Sequence, residues 1–146
     1  MSRPLYTVAQ ANATLPYVGR IAADIARTYG EWQKLVREFE LAALDSRANS
    51  PNPHAESVQR RAQALAEEID GFVAELAAIG VECQGLEEGI VDFPAVVDGE
   101  DAWLCWRPDE PSVAWWHPRE NGFADRRPLG DAEVLDPEAA GAARDA

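Results

Sequence analysis

Residues 55–80 read AESVQRRAQALAEEIDGFVAELAAIG, and this stretch decides the fold. Its large apolar residues are separated alternately by four and three positions, which is the seam of a coiled-coil-like helix. The seam consists of Val58, Ala62, Leu65, Ile69, Phe72, Leu76 and Ile79. Gly80 follows the seam and is suited to end the helix as a C-cap. We therefore predict a helix over about 55–79.

A second stripe of helical period lies upstream. Its members recur every seven residues and are Val18, Ile25, Trp32 and Phe39. This stripe predicts a helix over about 14–44. The polar segment 45–54 carries two prolines and no periodicity, so it is a loop. Two helices joined by one loop form an antiparallel hairpin.

A separate helical turn is expected before the first long helix. Thr7 and Gln10 have the spacing of a capping box. Pro16 fits the first turn of a helix and not its interior. We therefore predict a short turn over residues 8–13 and a new helix that Thr14 caps.

After the second predicted helix, the sequence pattern changes from helical to strand-like. Asp98-Gly99 is a strong hairpin signal, and residues 108–111, with a proline at each end, are read as a four-residue turn. The segments around these turns are rich in β-branched and aromatic residues. They predict strands over about 89–97, 102–107 and 112–117. The expected fold class is α+β, a long antiparallel helical hairpin followed by a small three-stranded antiparallel β-meander.

Composition limits the domain organisation and the partners. The 146 residues suit one domain, which we place at 1–130, and the acidic, alanine-rich segment 131–146 is expected to be a disordered tail. The net charge of −13 disfavours binding to nucleic acid or to an anionic membrane. The chain has no apolar run of about 20 residues and no secretory signal, so a cytoplasmic location is expected. Its two cysteines are then expected to be reduced.

Several segments resemble the bacterial domain of unknown function 2203 family. They are YTVAQANATLP at 6–16, GVE at 80–82, GIVDFPA at 89–95, LCWR at 104–107, EP at 110–111, WH at 116–117, GF at 122–123 and RRPL at 126–129. With the hairpin, the resemblance extends from Tyr6 to Leu129. The family usually has glutamine at the position of Arg127, and an acid at that of Pro118, which weakens any site that needs a carboxylate there. The resemblance implies a soluble bacterial protein and supplies no catalytic residue.

The residues that could carry chemistry lie in the predicted meander. The candidate site consists of Asp92, Cys105, Arg107, Glu110 and His117. Cysteine, histidine and carboxylate together could bind zinc or iron, and the metal candidates are Cys105, His117 and Glu120. Alternatively, His117 could act as a general base for a Cys105 nucleophile. Arg107 and Glu110 could form an ion pair at the turn.

Strand register decides whether Cys105 and His117 can meet. If residues 108–111 form the whole loop, Cys105 pairs with Ala114, and His117 lies on the opposite face of the sheet. A slip of one residue places Cys105 and His117 on the same face. The sequence leaves both registers open.

Two classes of function follow, and the residues do not decide whether the protein is an enzyme. The favoured hypothesis is a non-enzymatic, self-associating interaction or accessory protein. A wide apolar stripe on the hairpin predicts a homodimer, and a protein partner is also possible. The alternative is a metal- or thiol-dependent activity centred on Cys105 and His117. No cofactor is indicated.

Overall fold

The computed structural model describes residues 4–46 and 50–139 and confirms the α+β fold class. A pair of long helices precedes one antiparallel sheet. The elements are α1 Val8–Leu44, α2 Pro53–Ala78, β1 Glu82–Gly85, β2 Ile90–Val97, β3 Glu100–Trp106, β4 Trp115–Pro118, a 3₁₀ helix Phe123–Asp125 and β5 Arg127–Pro128. Neither long helix is apolar enough over its length to cross a membrane.

The first helix is continuous where two helical pieces are expected. Thr7 caps it and forms the predicted capping box with Gln10. The helix then continues through Pro16, so the expected break before Thr14 is wrong. Proline in a helix interior removes one backbone hydrogen bond, but this loss is local, whereas the buried stripe continues along the helix past it. The Thr14 hydroxyl does not act as a cap and instead donates back to the Ala11 carbonyl at 2.7 Å.

The two helices pack along their apolar stripes. At the end near the sheet, Ile25 and Leu76 belong to the main core. At the far end, Leu35, Val58 and Ala62 form a small separate core between the two helices alone. Asn52 caps α2 by accepting a hydrogen bond from the Ala55 amide at 3.0 Å. The hairpin therefore extends beyond the sheet as a two-helix projection.

The sheet has five strands in the order β1-β2-β3-β4-β5, where the sequence analysis predicts three. The two additional strands, β1 and β5, are short edge strands without a regular apolar alternation. On one face of the central strands, Val91, Phe93 and Leu104 pack into the main core with the helices. The opposite face carries Asp92 and Cys105, because side chains alternate along a strand.

The connection between β3 and β4 is longer than expected. It extends from Arg107 to Ala114, so the four-residue turn is wrong. Cys105 pairs with Trp115 and not with Ala114, and Trp103 pairs with His117. This is the one-residue slip, and it places Cys105 and His117 on the same face of the sheet.

The start of the expected tail lies against the sheet. Val97 forms a β-bridge with Val134, and the Leu135 amide donates to the Val96 carbonyl at 2.9 Å. The Asp98 amide donates to the Glu133 carbonyl at 2.8 Å. The structure thus differs from the predicted disorder over these residues, and the rest of the expected tail, 140–146, lies outside the described residues.

Candidate metal centre

Three side chains from neighbouring strands converge on the sheet face away from the helices. Asp92 of β2 pairs with Cys105 of β3, and His117 of β4 lies across from Trp103 on the same face. One ligand atom from each of Asp92, Cys105 and His117 lies within 4.8 Å of the others. The relative exposures of these residues are 0%, 0% and 1%, so the cluster is closed to solvent.

Both ring nitrogens of His117 face oxygen atoms. Nε2 lies 3.0 Å from Asp92 Oδ2, and Nδ1 lies 2.9 Å from the Pro118 carbonyl oxygen. Burial by itself lowers the pKa of His117, but the hydrogen bonds to Asp92 and to the Pro118 carbonyl outweigh burial, so its pKa is raised. Two facing oxygen atoms and a raised pKa favour the imidazolium, and in that form His117 makes a buried ion pair with Asp92.

The Cys105 thiol is held in its neutral form. Burial, followed by the negative charge of Asp92, raises the pKa of Cys105 to about 12, although the neighbouring Arg126 guanidinium lowers it in part. Since only the thiolate is a strong nucleophile, this environment opposes catalysis by a free Cys105. The His117 Nε2 that would serve as a base is directed to Asp92. The paired-nucleophile alternative therefore has little support.

One carboxylate oxygen of Asp92 accepts no hydrogen bond from the described residues. Its Oδ2 pairs with His117, but its buried Oδ1 has no hydrogen-bond partner among the described residues. A buried carboxylate oxygen without a donor costs about 1–3 kcal/mol. An unpaired ligand atom beside a thiol and an imidazole is the arrangement expected where a cation belongs.

A second charged pair lies beside the cluster. Arg126 makes two hydrogen bonds to Glu110, from Nη1 to Oε1 at 2.9 Å and from Nη2 to Oε2 at 2.8 Å. The guanidinium carbon lies 4.2 Å from the centre of the Phe123 ring and 4.6 Å from that of Trp115. Glu110 also accepts the Arg107 backbone N–H at 2.9 Å. Arg126 is therefore fixed by a bidentate ion pair and by two aromatic rings.

Three of the predicted residues, namely Arg107, Glu110 and the metal candidate Glu120, lie outside the cluster. The Arg107 guanidinium pairs with Asp109 at 2.6 Å and lies 3.9 Å from Glu88, so the predicted ion pair of Arg107 with Glu110 is wrong. Glu110 is close to the cluster only through Arg126. Glu120 is exposed in the turn after β4 and is absent from the metal-ligating group, where Asp92 takes its place beside Cys105.

Arg126 is the residue that the sequence analysis does not single out. Its position depends on a contact with Glu110, sixteen residues away, on the Trp115 ring of β4 and on the Phe123 ring three residues before it. The only signal in the sequence is that it belongs to the RRPL segment at 126–129, within the family resemblance.

Comparison with known proteins agrees with the resemblance. The model of a family described as an uncharacterized conserved protein (DUF2203) matches residues 4–129, and the chain belongs to this family. Searches among curated proteins and among solved structures gave no significant match. The matched range contains the whole cluster together with Glu110 and Arg126.

Proposed function

We propose that this protein binds a divalent transition-metal ion, zinc in the first place, through Asp92, Cys105 and His117. The observation that carries the proposal is the convergence of these three ligand types at a fully buried position, where Asp92 Oδ1 has no hydrogen-bond partner in the described part of the chain. Thiolate, imidazole and carboxylate are the three side-chain ligands of zinc. The mixed set also favours a borderline metal over magnesium or calcium, which take oxygen ligands.

The distances support a site that tightens when the ion enters. Zinc bonds of about 2.0–2.3 Å place tetrahedral ligand atoms about 3.3–3.8 Å apart. The Asp92–His117 contact is 3.0 Å, and the cluster as a whole lies within 4.8 Å. Side-chain shifts on the order of 1 Å therefore suffice.

Charge balance also supports the proposal. Without metal, the Asp92 carboxylate is balanced by the His117 imidazolium, and the Cys105 thiol is neutral. A dication that displaces one proton from His117 and one from Cys105 leaves the net charge of the cluster unchanged. Because burying net charge is costly, this exchange makes a metal acceptable in a dry site.

Three protein ligands leave one position for a small molecule. Structural zinc sites usually have four protein ligands, whereas catalytic sites keep one position for water or substrate. The described residues place only three metal-ligating groups within the cluster. We therefore propose that a small molecule enclosed with the ion, such as water, supplies the fourth ligand.

Metal analysis tests the proposal directly. Protein purified without an affinity tag should contain, or take up from zinc chloride, about one equivalent of zinc. Asp92→Asn, Cys105→Ser and His117→Gln should each weaken uptake, whereas the matched replacements Cys83→Ser and His54→Gln should leave it intact. Wild-type protein that takes up no zinc, iron or copper, or uptake that survives all three site variants, would contradict the proposal.

Self-association through the helical hairpin is a second proposal, favoured by the two-helix projection. Leu41 and Leu44 are 67% and 80% exposed at its end. Beside the small core, a groove of about 520 Å³ has an apolar floor that includes Leu35 and Leu65. Its lining also includes both acidic and basic side chains, namely Glu31, Lys34, Glu38 and Arg61. A second copy related by a two-fold axis could place acids against bases there.

Light scattering at micromolar protein tests the dimer. We expect a mass of twice 16.0 kDa, and a monomer mass for the wild-type chain would contradict the proposal. Leu41→Gln combined with Leu44→Gln should shift the mass towards the monomer. Tyr17→Gln, which removes an exposed apolar side chain from the other end of the same helix, is the control.

A further inference from the structure

We propose that Arg126 is a positioning residue of the metal centre, held by Glu110 and Phe123 against Trp115, the cross-strand neighbour of Cys105, so that its charge acts on the Cys105 sulfur. This inference rests on the proposed metal binding and concerns the same site. Arginine has no acceptor and cannot bind the ion itself, so its role is to act on a ligand.

The location of Arg126 follows from the sheet register. Trp115 is the direct partner of Cys105 across β3 and β4, and both side chains are on the cluster face. The Arg126 guanidinium lies over the Trp115 ring at 4.6 Å, so it covers the sheet next to Cys105.

Arg126 is held in place by more contacts than an exposed ion pair would provide. Its side chain and that of Glu110 are each 12% exposed, and their contact is bidentate. Glu110 is in turn fixed to the backbone of the turn at Arg107. Rings at 4.2 Å and 4.6 Å restrict the guanidinium further. A guanidinium held in this way is already ordered. Little side-chain entropy is therefore lost when it interacts with a metal-bound thiolate.

The role differs from that of the ligands. A metal-bound thiolate carries a negative charge in a buried site, and a fixed cation beside it stabilises this charge and withdraws electron density from the sulfur. Outer groups of this kind commonly change metal affinity by about 10–100-fold. Removing Arg126 should therefore alter the metal–sulfur bond while leaving Asp92, Cys105 and His117 in place.

Cobalt(II) titration of the full chain tests the inference, because a thiolate bound to cobalt gives a charge-transfer band in the near ultraviolet. We expect this band in the wild type. In Arg126→Met it should move to lower energy, and cobalt affinity should fall by about tenfold or more. An unchanged band and affinity in a folded Arg126→Met variant would overturn the role of Arg126.

The pair Glu110→Gln and Glu110→Gln/Arg126→Met separates a direct effect on sulfur from an unpaired glutamate. If Arg126 acts on Cys105, the double variant keeps the shifted band. If Arg126 only neutralises Glu110, the double variant returns to the wild-type band, which overturns the inference. Should Arg126→Met fail to fold, Arg126→Gln, which also removes the charge, carries the test, with a shift to lower energy expected and no shift overturning the role.

The outcome also distinguishes the two proposals. A wild-type chain that binds no cobalt refutes the metal centre, and the role of Arg126 is then refuted with it. A wild-type chain that binds cobalt with a thiolate band, together with an unaffected Arg126→Met variant, refutes the role of Arg126 alone.

Discussion

His117 Nε2 lies 3.0 Å from Asp92 Oδ2 in a position where both residues are almost inaccessible to solvent. Removing one partner of a buried ion pair leaves the other charge uncompensated, at a cost of about 3–5 kcal/mol. The same contact gives the protein a pH-dependent stability, because the pKa of His117 is raised in the folded state.

Proton linkage determines whether this contribution to stability rises or falls with pH. A group with a raised folded-state pKa stabilises fully below its unfolded pKa, about 6.5 for histidine, and this stabilisation is lost as pH rises through the folded pKa. We therefore expect His117→Gln to cost about 3 kcal/mol below pH 6, and less as pH rises. Urea unfolding with EDTA at several pH values measures the difference, and His54→Gln is the control for losing one imidazole. A difference that grows with pH would contradict the assignment.

The Cys105 thiol should resist modification in the folded protein. Its pKa of about 12 and complete burial leave almost no accessible thiolate at pH 8. In a Cys83→Ser background, we expect Ellman's reagent to react with Cys105 at least about a hundredfold more slowly than in the urea-unfolded chain, because reaction requires opening. Cys105→Ser reports the rate of Cys83 separately. Immediate stoichiometric labelling of Cys105 would show that the site is open.

Part of this architecture is predictable from local pattern, and part is not. The seam from Val58 to Ile79 has a regular period, so the helix is read correctly. The sequence does not predict that α1 continues through Pro16. The packing of apolar residues beyond the proline overrides the preference of proline for the first turn of a helix. β1 lacks a clear apolar alternation, and β5 has only two residues. Their pairing comes from the neighbouring strands.

The candidate site, like the fold, can be predicted from the sequence only in part. The sequence identifies Asp92, Cys105 and His117 by residue type, but whether they meet depends on the pairing register of β3 and β4. With the connection extending from Arg107 to Ala114, Cys105 pairs with Trp115 and shares a face with His117. Arg126 escapes detection because its contacts with Glu110 and Trp115, which bring it to the cluster, are tertiary. Register and stacking are long-range properties that no local periodicity encodes.

Metal binding should release protons. At pH 6, below the ordinary histidine pKa that the fold raises further, the thiol of Cys105 and the imidazolium of His117 each lose one proton when they become ligands, so about two protons should be released per zinc ion. Calorimetry in buffers of different ionisation enthalpy measures this number. Cys105→Ser should reduce it to about one, since a serine hydroxyl keeps its proton. Zinc binding without proton release would exclude these ligands.

Gly89 tests how the strand that carries Asp92 is held against α1. A Cβ at Gly89 would lie 2.6 Å from the Ala22 carbonyl oxygen, and its φ of +71° is strained for any other residue. We expect Gly89→Ala to lower the free energy of unfolding by about 2–3 kcal/mol, since the strain and the clash add. Gly71→Ala is the matched control, because Gly71 lies in the exposed interior of α2 with nothing within 4 Å of a Cβ. It should stabilise by about 0.5–1 kcal/mol. Equal effects of the two replacements in urea unfolding would mean that this loop does not approach the helix closely, and the link between the hairpin and the cluster strand would have to lie elsewhere.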